Sequence, residues 1–278
     1  MYLLLDIGGT NLRMAISRTG RRVDDCVIVN RPSDFKKGVL AIKTIADELS
    51  GGKKYEAVCC GIAGILDPKK TKLIYSPHIK GWINKPLKKE LEKVLNTKVF
   101  LENDADLGGL GEAVYGAGRD KRIVAYIAIG TGIGGTRIID KKIDANSIGF
   151  EPGHMIICAG KKSYLPPYNL GEWEGLVSGA ALEKRYGMKS KLIKKKAAWD
   201  YAIKYLVYGL HDVVRLWSPE LIVLGGGLMD NPNMKVSKIA SQLSKYFIIK
   251  YHHSPIIRKA KLGDKAGLYG ALQYLKDK

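Results

Sequence analysis

The apolar residues of the chain fall into two patterns, short continuous runs and longer stretches with helical spacing. The short runs predict strands at Tyr2–Ile7, Leu12–Ser17, Asp25–Arg31, Glu56–Ile62, Lys98–Leu101, Ile123–Ile129, Gly134–Ile139 and Leu221–Leu224. Apolar residues three or four positions apart predict helices at Phe35–Leu49, Lys85–Leu95, Ala105–Tyr115, Ala197–Trp217 and Ala266–Leu275. Clusters of strands that alternate with helices are typical of α/β proteins.

We therefore predict an α/β fold with two domains. The first domain covers residues 1–105 and is completed by the C-terminal helix at 266–278, and the second covers residues 106–265. The two domains are predicted to join near the segment Asn103–Glu112. A chain of 278 residues, 46% of them hydrophobic, is long enough to bury a core in each.

Two of the predicted strand pairs are joined by glycine-rich turns of the same kind. The first motif is Asp6-Ile-Gly-Gly-Thr10 and the second is Gly130-Thr-Gly-Ile-Gly-Gly135. We call Gly8–Thr10 the first glycine turn and Gly130–Gly132 the second. Glycine has no Cβ, so phosphate oxygens can approach the backbone N–H groups of such turns. One turn alone is more often an ordinary hairpin, but two of them favour duplicated halves that bind a nucleotide.

Other features of these motifs narrow the class of ligand. The chain contains no G-x-x-x-x-G-K-[ST] loop, and no helix directly follows either turn as a dinucleotide fingerprint would require. Asp6 lies at the end of its strand, where a carboxylate suits hydrated Mg²⁺ beside phosphates. Two more glycine-rich loops, Gly61–Gly64 and Gly225–Gly227, follow predicted strands, at the strand ends where ligands of α/β sheets bind.

Composition and charge exclude several other classes of protein. No apolar run approaches 18 residues, so we expect a soluble cytoplasmic protein with no membrane partner. The four cysteines show no C-x-x-C spacing and are expected to be reduced thiols. A net charge of +19 is compatible with nucleic-acid binding, but the lysines are scattered and no DNA-binding motif accompanies them, so we expect no nucleic-acid partner. The one dense cluster, Lys189–Lys196, is either a solvated loop or a surface for an anionic ligand.

Acidic residues occur where predicted strands meet predicted helices. Asn103 and Asp104 stand at such a junction, and either could cap the helix that follows. Further along the chain, Glu151 and His154 flank a glycine, and Glu174 lies near the start of a predicted helix leading to Ser178, which it could merely cap. Side chains of these types can hold several vicinal hydroxyl groups by paired hydrogen bonds.

Together these motifs resemble the ROK family of sugar kinases and related repressors, within the actin/hexokinase/Hsp70 superfamily. The resemblance covers nearly the whole chain. Its motifs are Asp6–Thr10, Gly61–Gly64, Lys80-Gly-Trp82 with Pro86-Leu87, Glu102–Asp104, Gly130–Gly135, Glu151-x-Gly-His154, Gly225–Gly227 and Leu262–Ala271. It implies a two-domain actin-like ATPase fold, a duplicated ribonuclease H-like architecture with an interdomain cleft.

The resemblance also implies a role for individual residues. Asp104 corresponds to the catalytic base, and the sugar ligands correspond to Gly64, Asn103, Asp104, Glu151, His154 and Glu174. The ATP site corresponds to Asp6, Gly8, Gly9, Thr10, Asn11, Arg13, Gly130, Thr131, Gly132, Gly134, Gly225, Gly226 and Gly227. Asp6 would also serve Mg²⁺ through water.

Two positions depart from the family pattern. Members usually carry a C-x-C-G-x-x-G-C zinc cluster after the histidine, but here Cys158 is the only cysteine in that region. A site of one histidine and three cysteines cannot form locally, so we expect no zinc. The family often has Asn where this chain has His78, which leaves the sugar specificity open.

The activity that the resemblance implies is transfer of the ATP γ-phosphoryl group to a hexose, most simply to the 6-hydroxyl of glucose, in a homodimer or homotetramer. The alternatives are an N-acetylmannosamine kinase, a broad-specificity hexokinase, and a polyphosphate-dependent glucokinase using Lys194–Lys196. A sugar-responsive repressor would need a winged helix ahead of Asp6, where the chain has only Met1–Leu5.

Overall fold

The computed structural model describes residues 1–165, 170–247 and 255–278. These residues form two compact units. The first comprises Met1–Tyr115, Ala145–Gly149 and Asp264–Lys278, and the second comprises Gly116–Asp144 and Phe150–Gly263. Each unit is built on its own five-stranded sheet.

The elements are numbered in chain order. The strands are β1 (Tyr2–Ile7), β2 (Asn11–Ser17), β3 (Cys26–Asn30), β4 (Ala57–Ile62), β5 (Ile65–Leu66), β6 (Leu73–Tyr75), β7 (Val99–Asn103), β8 (Ile123–Ile129), β9 (Ile133–Ile139), β10 (Lys142–Ile143), β11 (Leu221–Gly225) and β12 (Ile256–Lys259). The α-helices are α1 (Phe35–Ser50), α2 (Leu87–Leu95), α3 (Asp104–Val114), α4 (Trp173–Val177), α5 (Gly179–Tyr186), α6 (Lys196–Trp217), α7 (Val236–Ser244) and α8 (Ala266–Lys276).

The two sheets have the same topology. In the first, the strand order is β3-β2-β1-β4-β7, with β1 to β3 antiparallel and β4 and β7 parallel to β1. In the second, the order is β10-β9-β8-β11-β12, with β8 to β10 antiparallel and β11 and β12 parallel to β8. The same architecture therefore occurs twice, which confirms the duplicated α/β plan.

Every predicted strand and helix is present, with its ends within two residues of the prediction. Helix α2 starts later than predicted because Lys85 precedes Pro86, and a residue before proline is disfavoured in the helical region. Strand β7 runs further than predicted because Glu102 and Asn103 pair with β4. The apolar pattern did not predict helices α5 and α7, strands β10 and β12, or the short strand pair β5–β6.

The first sheet is covered on both faces. Leu3, Leu5 and Ile7 of β1 pack with α1 and α2, while Leu4 between them packs with α3 and α8. This alternation follows from the two-residue period of a strand. Helices α3 and α8 approach closely at Gly270, since a Cβ there would lie 1.8 Å from the Leu107 carbonyl oxygen. The small residue thus sets the position of α3, the helix that carries Asp104.

The core of the second unit forms around the long helix α6. Its buried face includes Leu206 and Leu210, which pack with Ile127 and Ile129 of β8 and with Trp173 of α4. The backbone of Gly209 gives the Trp173 ring room to pack, because a Cβ there would lie 2.2 Å from it. No helix in the described part of the chain is both long and apolar enough to cross a membrane.

Candidate active site

The carboxyl ends of three parallel strands meet at one edge of the first sheet. Asp6 of β1 is in register with Gly61 of β4, which is in register with Glu102 of β7. The first glycine turn, Gly64 and Asp104 follow these strand ends directly. Ligands of α/β sheets bind at such edges because loops from several strands converge there. The fold therefore brings together the residues of the first unit that the sequence singled out.

Asp6 and Arg13 form an ion pair beside the first glycine turn. Arg13 Nη1 lies 3.4 Å from Asp6 Oδ2, and Arg13 Nη2 lies 3.4 Å from Asp264 Oδ1. The pKa of Asp6 is nevertheless raised, because burial of its carboxylate outweighs the attraction of Arg13. Asn11 closes the turn, since the Gly8 N–H donates to its carbonyl at 2.9 Å.

Asn103, and not Asp104, caps helix α3. The Asn103 Oδ1 accepts from the N–H groups of Ala105 at 2.8 Å and Asp106 at 3.1 Å. Asp104 is the first residue of the helix, and its Oδ1 accepts from Ala105 N at 3.0 Å. Of the two capping readings that the sequence left open, the one for Asp104 is therefore wrong.

The Asp104 carboxylate is poised to exchange a proton near neutral pH. Burial raises its pKa to about 7, and the negative charge of Asp6 adds to this rise. Backbone N–H groups at the helix start act in the opposite direction without cancelling it. A carboxylate with this pKa can serve as a general base, for which a value near the working pH is favourable.

The side chain of Asn103, at the end of β7, also binds the loop that contains Gly64. Its Nδ2 donates to the Gly64 carbonyl at 3.1 Å, so both predicted sugar ligands lie side by side. Gly64 has a φ of 127°, which favours glycine. Lys70 and the buried Glu102 form an ion pair that was not predicted from the sequence, with Lys70 Nζ 2.6 Å from each carboxylate oxygen. Its signal was a buried acidic residue inside a strand, which needs a cation.

The second glycine turn rests against the start of helix α5. The N–H of Gly179 donates to the Gly130 carbonyl at 2.8 Å, and the N–H of Ala180 donates to the Thr131 carbonyl at 3.1 Å. In return, the helix start obtains acceptors that its free N–H groups need. Gly134, which was predicted to bind ATP with this turn, lies within β9 opposite Ala128.

Glu151, His154 and Glu174 gather beside the second glycine turn. The Glu174 Oε2 accepts from Ile133 N at 2.7 Å, directly after the turn, and a Cβ on Gly132 would lie 2.3 Å from the same oxygen. The short helical turn after Glu151 packs on the same place, because a Cβ on Gly153 would lie 2.2 Å from the Ile133 carbonyl oxygen. Burial raises the pKa of Glu151, with His154 opposing the rise and Glu174 adding to it.

The Gly225–Gly227 loop follows β11 and lies at the end of β8. Gly226 has a φ of 84°, and a Cβ there would lie 2.5 Å from the carbonyl carbon of Ile129. Only glycine fits this combination of backbone conformation and close approach. The second unit therefore places this loop directly beside its glycine turn, at the carboxyl ends of adjacent parallel strands.

The two departures from the family pattern have different structural contexts. His78 is exposed and packs on the first glycine turn, because a Cβ on Gly9 would lie 2.8 Å from His78 Cβ. Cys158 has a free thiol. Among the described residues, no group of three or more His, Cys, Asp and Glu side chains lies close enough together to hold a metal ion.

Two units with the same sheet topology, each with a glycine turn between its first two strands, define the actin-like ATPase fold. The solved structure of a ROK family glucokinase from Streptomyces griseus, in complex with glucose and AMPPNP, matches with a TM-score of 0.85 at 27% identity. The match covers 100% of this chain and 99% of that one. The predicted fold class is thereby confirmed.

Sequence comparison gives the family. A glucokinase of Streptomyces coelicolor is 27% identical over 310 residues, covering 96% of this chain and 95% of its own. An uncharacterized protein of Clostridium perfringens is 32% identical, covering 100% of this chain and 98% of its own. The ROK family profile matches residues 2–278. The chain belongs to the ROK family, which confirms the resemblance drawn from its motifs.

Proposed function

We propose that the chain is an ATP-dependent sugar kinase that transfers the γ-phosphoryl group to the 6-hydroxyl of glucose. The observation that carries this proposal is the Asp104 carboxylate, with a pKa of about 7, at the sheet edge that also bears Asp6 and the first glycine turn. The similarity to glucokinases supports the choice of sugar. As part of the same proposal, the enzyme acts in the cytoplasm as a homodimer or homotetramer.

In the proposed mechanism, Asp104 accepts the proton of the attacking hydroxyl. This requires a contact of about 2.6–3.2 Å between the carboxylate and that hydroxyl in the complex. Phosphoryl transfer proceeds through a loose transition state, so alignment and charge neutralisation dominate the catalysis. The N–H groups of the two glycine turns would supply oriented dipoles for the phosphate oxygens.

The residues of the first unit fit a Mg²⁺ ion. Burial raises the pKa of Asp6 although Arg13 is its ion-pair partner, so Arg13 does not fully neutralise this carboxylate. Asp104 interacts electrostatically with Asp6 and adds a second carboxylate that a cation can neutralise. Mg²⁺ is usually bound by one or two carboxylates together with substrate phosphates. When bound, it neutralises charge on the transferred group. We propose that Asp6 holds the ion through water.

We further propose that the side chains of Asn103, Glu151, His154 and Glu174 bind the sugar hydroxyls. Asn103 donates one of its two Nδ2 hydrogens to Gly64, which leaves the other for a hydroxyl. Glu151, His154 and Glu174 supply carboxylate and imidazole groups in the second unit. Gly225–Gly227 would lie against the adenosine.

A polyphosphate donor is the second candidate. The side chains of Lys194, Lys195 and Lys196 are exposed at the start of α6, and no ion pair to them occurs within the described ranges. A run of unpaired cations suits an extended polyanion. The loop Gly225–Gly227 favours a nucleotide instead, because it lies at the carboxyl end of β11 beside the second glycine turn, with open space next to Gly227.

One assay tests both candidates. Purified protein is given glucose, mannose, N-acetylmannosamine and fructose, each with ATP and with polyphosphate, and sugar phosphate is measured. We expect the highest kcat/KM with glucose and ATP. Turnover of N-acetylmannosamine alone, or of several hexoses equally, would replace glucose by one of the alternative substrates. Activity with polyphosphate only would reject the ATP site, and no sugar phosphate in any mixture would reject the kinase.

A further inference from the structure

Arg31, just after β3, makes an unusual set of contacts with the first glycine turn. Its Nε donates to the Gly8 carbonyl at 3.0 Å, and its Nη2 donates to the Gly9 carbonyl at 2.8 Å. Its backbone N–H donates to the Thr10 carbonyl at 2.7 Å. One residue therefore engages three consecutive carbonyl groups of the turn.

These contacts determine where the N–H groups of the turn point. In a trans peptide the C=O and N–H bonds point in opposite directions. The Gly8 carbonyl shares its peptide with Gly9 N–H, and the Gly9 carbonyl shares its peptide with Thr10 N–H. Holding both carbonyls on the guanidinium therefore turns both N–H groups away from it. In the part of the chain that the structure describes, neither N–H donates to a protein acceptor.

The guanidinium is itself held in place. Its Nη1 donates to the Pro32 carbonyl at 2.9 Å and its Nη2 to the His78 carbonyl at 3.2 Å, and its Cζ lies 5.6 Å from the centre of the Trp82 ring. Within the described residues, Arg31 forms no ion pair with a carboxylate. Its positive charge is thus left uncompensated beside the turn, where it also favours an approaching anion.

We propose that Arg31 is a positioning residue that orients the Gly9 and Thr10 N–H groups toward the phosphates of the phosphoryl donor. This inference rests on the proposed function, since it assumes that the first glycine turn binds those phosphates. Arg31 acts through the turn and is not assigned a contact with ATP. The planar fork is needed because a lysine ammonium cannot hold two carbonyls in the same fixed geometry.

Three variants test the proposal in the full chain. Arg31→Ala removes both charge and fork, Arg31→Lys keeps the charge alone, and Arg21→Ala removes the same charge from an exposed position of the same unit. Two quantities are measured: the KM values for ATP and sugar, and the Kd of ADP with Mg²⁺ by calorimetry without turnover. Thermal unfolding of each variant shows whether it is folded at the assay temperature.

In Arg31→Ala, we expect the KM for ATP and the Kd for ADP to rise on the order of 10- to 100-fold, because hydrogen bonds to a charged group are lost. The KM for sugar should stay within about twofold. Arg31→Lys should recover only a small part of the loss, and Arg21→Ala should match wild type. Free guanidinium ion at millimolar concentration should partly restore ADP binding to Arg31→Ala.

The outcomes separate this inference from the proposed function. Wild-type protein that binds no ADP and uses no ATP would overturn both. Wild-type binding that is unchanged in Arg31→Ala would overturn the role of Arg31 alone. Full recovery in Arg31→Lys would show that charge, and not orientation of the turn, is what Arg31 supplies. An equal rise in the KM values for sugar and ATP would show a general structural role instead.

Discussion

The first and second glycine turns join equivalent strands of equivalent sheets, but different groups hold their carbonyls. In the first turn, the partner is the side chain and backbone of Arg31, which arrives from the end of β3. In the second, the partners are backbone N–H groups at the start of α5. Within the described residues, each arrangement leaves two N–H groups of the turn without a protein acceptor, those of Gly9 and Thr10 in the first and of Thr131 and Gly132 in the second.

The charge beside the turns differs as well. The first turn has the Arg31 cation on its carbonyl side and Asp6 at the end of the strand before it. The second has the Glu174 carboxylate bound to Ile133 N–H at 2.7 Å. Many substitutions can remove the charged partner of either turn, but only proline would remove a backbone N–H donor of α5. We therefore expect the first turn to be the more sensitive to single side-chain changes.

The largest effect is expected at the sheet edge of the first unit. Asp104→Asn should fold normally and lose kcat on the order of 10²- to 10⁴-fold, because the base that accepts the hydroxyl proton is gone. The measurement is kcat at saturating ATP and sugar, with Glu151→Gln as the second-unit control, which should mainly raise the sugar KM. A variant that keeps more than about a third of the wild-type kcat would exclude Asp104 as the base.

Glu174 tests whether the second turn depends on its carboxylate. Glu174→Ala should raise the sugar KM by roughly 10- to 150-fold, from loss of one hydrogen bond to a charged partner. The sequence left helix capping by Glu174 as an alternative, but its side chain binds Ile133 N–H and does not cap α4. We therefore also expect a smaller rise in the KM for ATP, since a buried N–H loses its acceptor.

Glu174→Gln is the matched control because its amide oxygen can still accept from Ile133 N–H. It should keep the KM for ATP within about threefold of wild type. An unchanged KM for ATP in Glu174→Ala would mean that the turn keeps its form without the carboxylate. An unchanged sugar KM would remove Glu174 from the sugar site.

The pH dependence of kcat/KM should follow the titration of Asp104 in the first unit. The pKa of Asp104 is raised from its ordinary value to about 7, so the carboxylate gains a proton, and loses its function as a base, as pH falls through 7. We expect kcat/KM for the sugar to fall about tenfold per pH unit below this point and to level off above it. Glu151→Gln should keep the same inflection, whereas an inflection below about pH 5 would contradict the assignment.

The smallest effect is expected at the cap of α5. Ser178 Oγ accepts from Ala181 N–H at 3.2 Å, and Ser178→Ala should lower the free energy of unfolding by about 1 kcal/mol. The KM for ATP should stay within about twofold, because the donors to the second turn are backbone groups. Ser241→Ala, at an exposed site on α7, is the stability control. A tenfold rise in the KM for ATP would show that the cap also positions the turn.

The sequence by itself determined the elements and the duplicated plan. Strands and helices follow from the spacing of apolar residues, which is a local property, so β1, β8 and α6 were predicted almost to the residue. The glycine turns were equally visible, since glycine marks where the backbone must be accessible. The sequence did not determine which residue caps α3, because Asn103 and Asp104 both suit an N-cap. Asn103 also binds the Gly64 carbonyl, which is 39 positions away in the chain.

The tertiary structure decided which side chains serve the turns. Arg31 meets carbonyls 22 and 23 positions earlier and one 47 positions later, and Glu174 meets an N–H 41 positions earlier. The residues around Arg31 and Glu174 do not predict these partners, because such a hydrogen bond depends on where distant segments of the chain meet and not on the local sequence pattern. Chain folding brings β3, the His78 segment and the first turn to one place, and only there does Arg31 acquire its role.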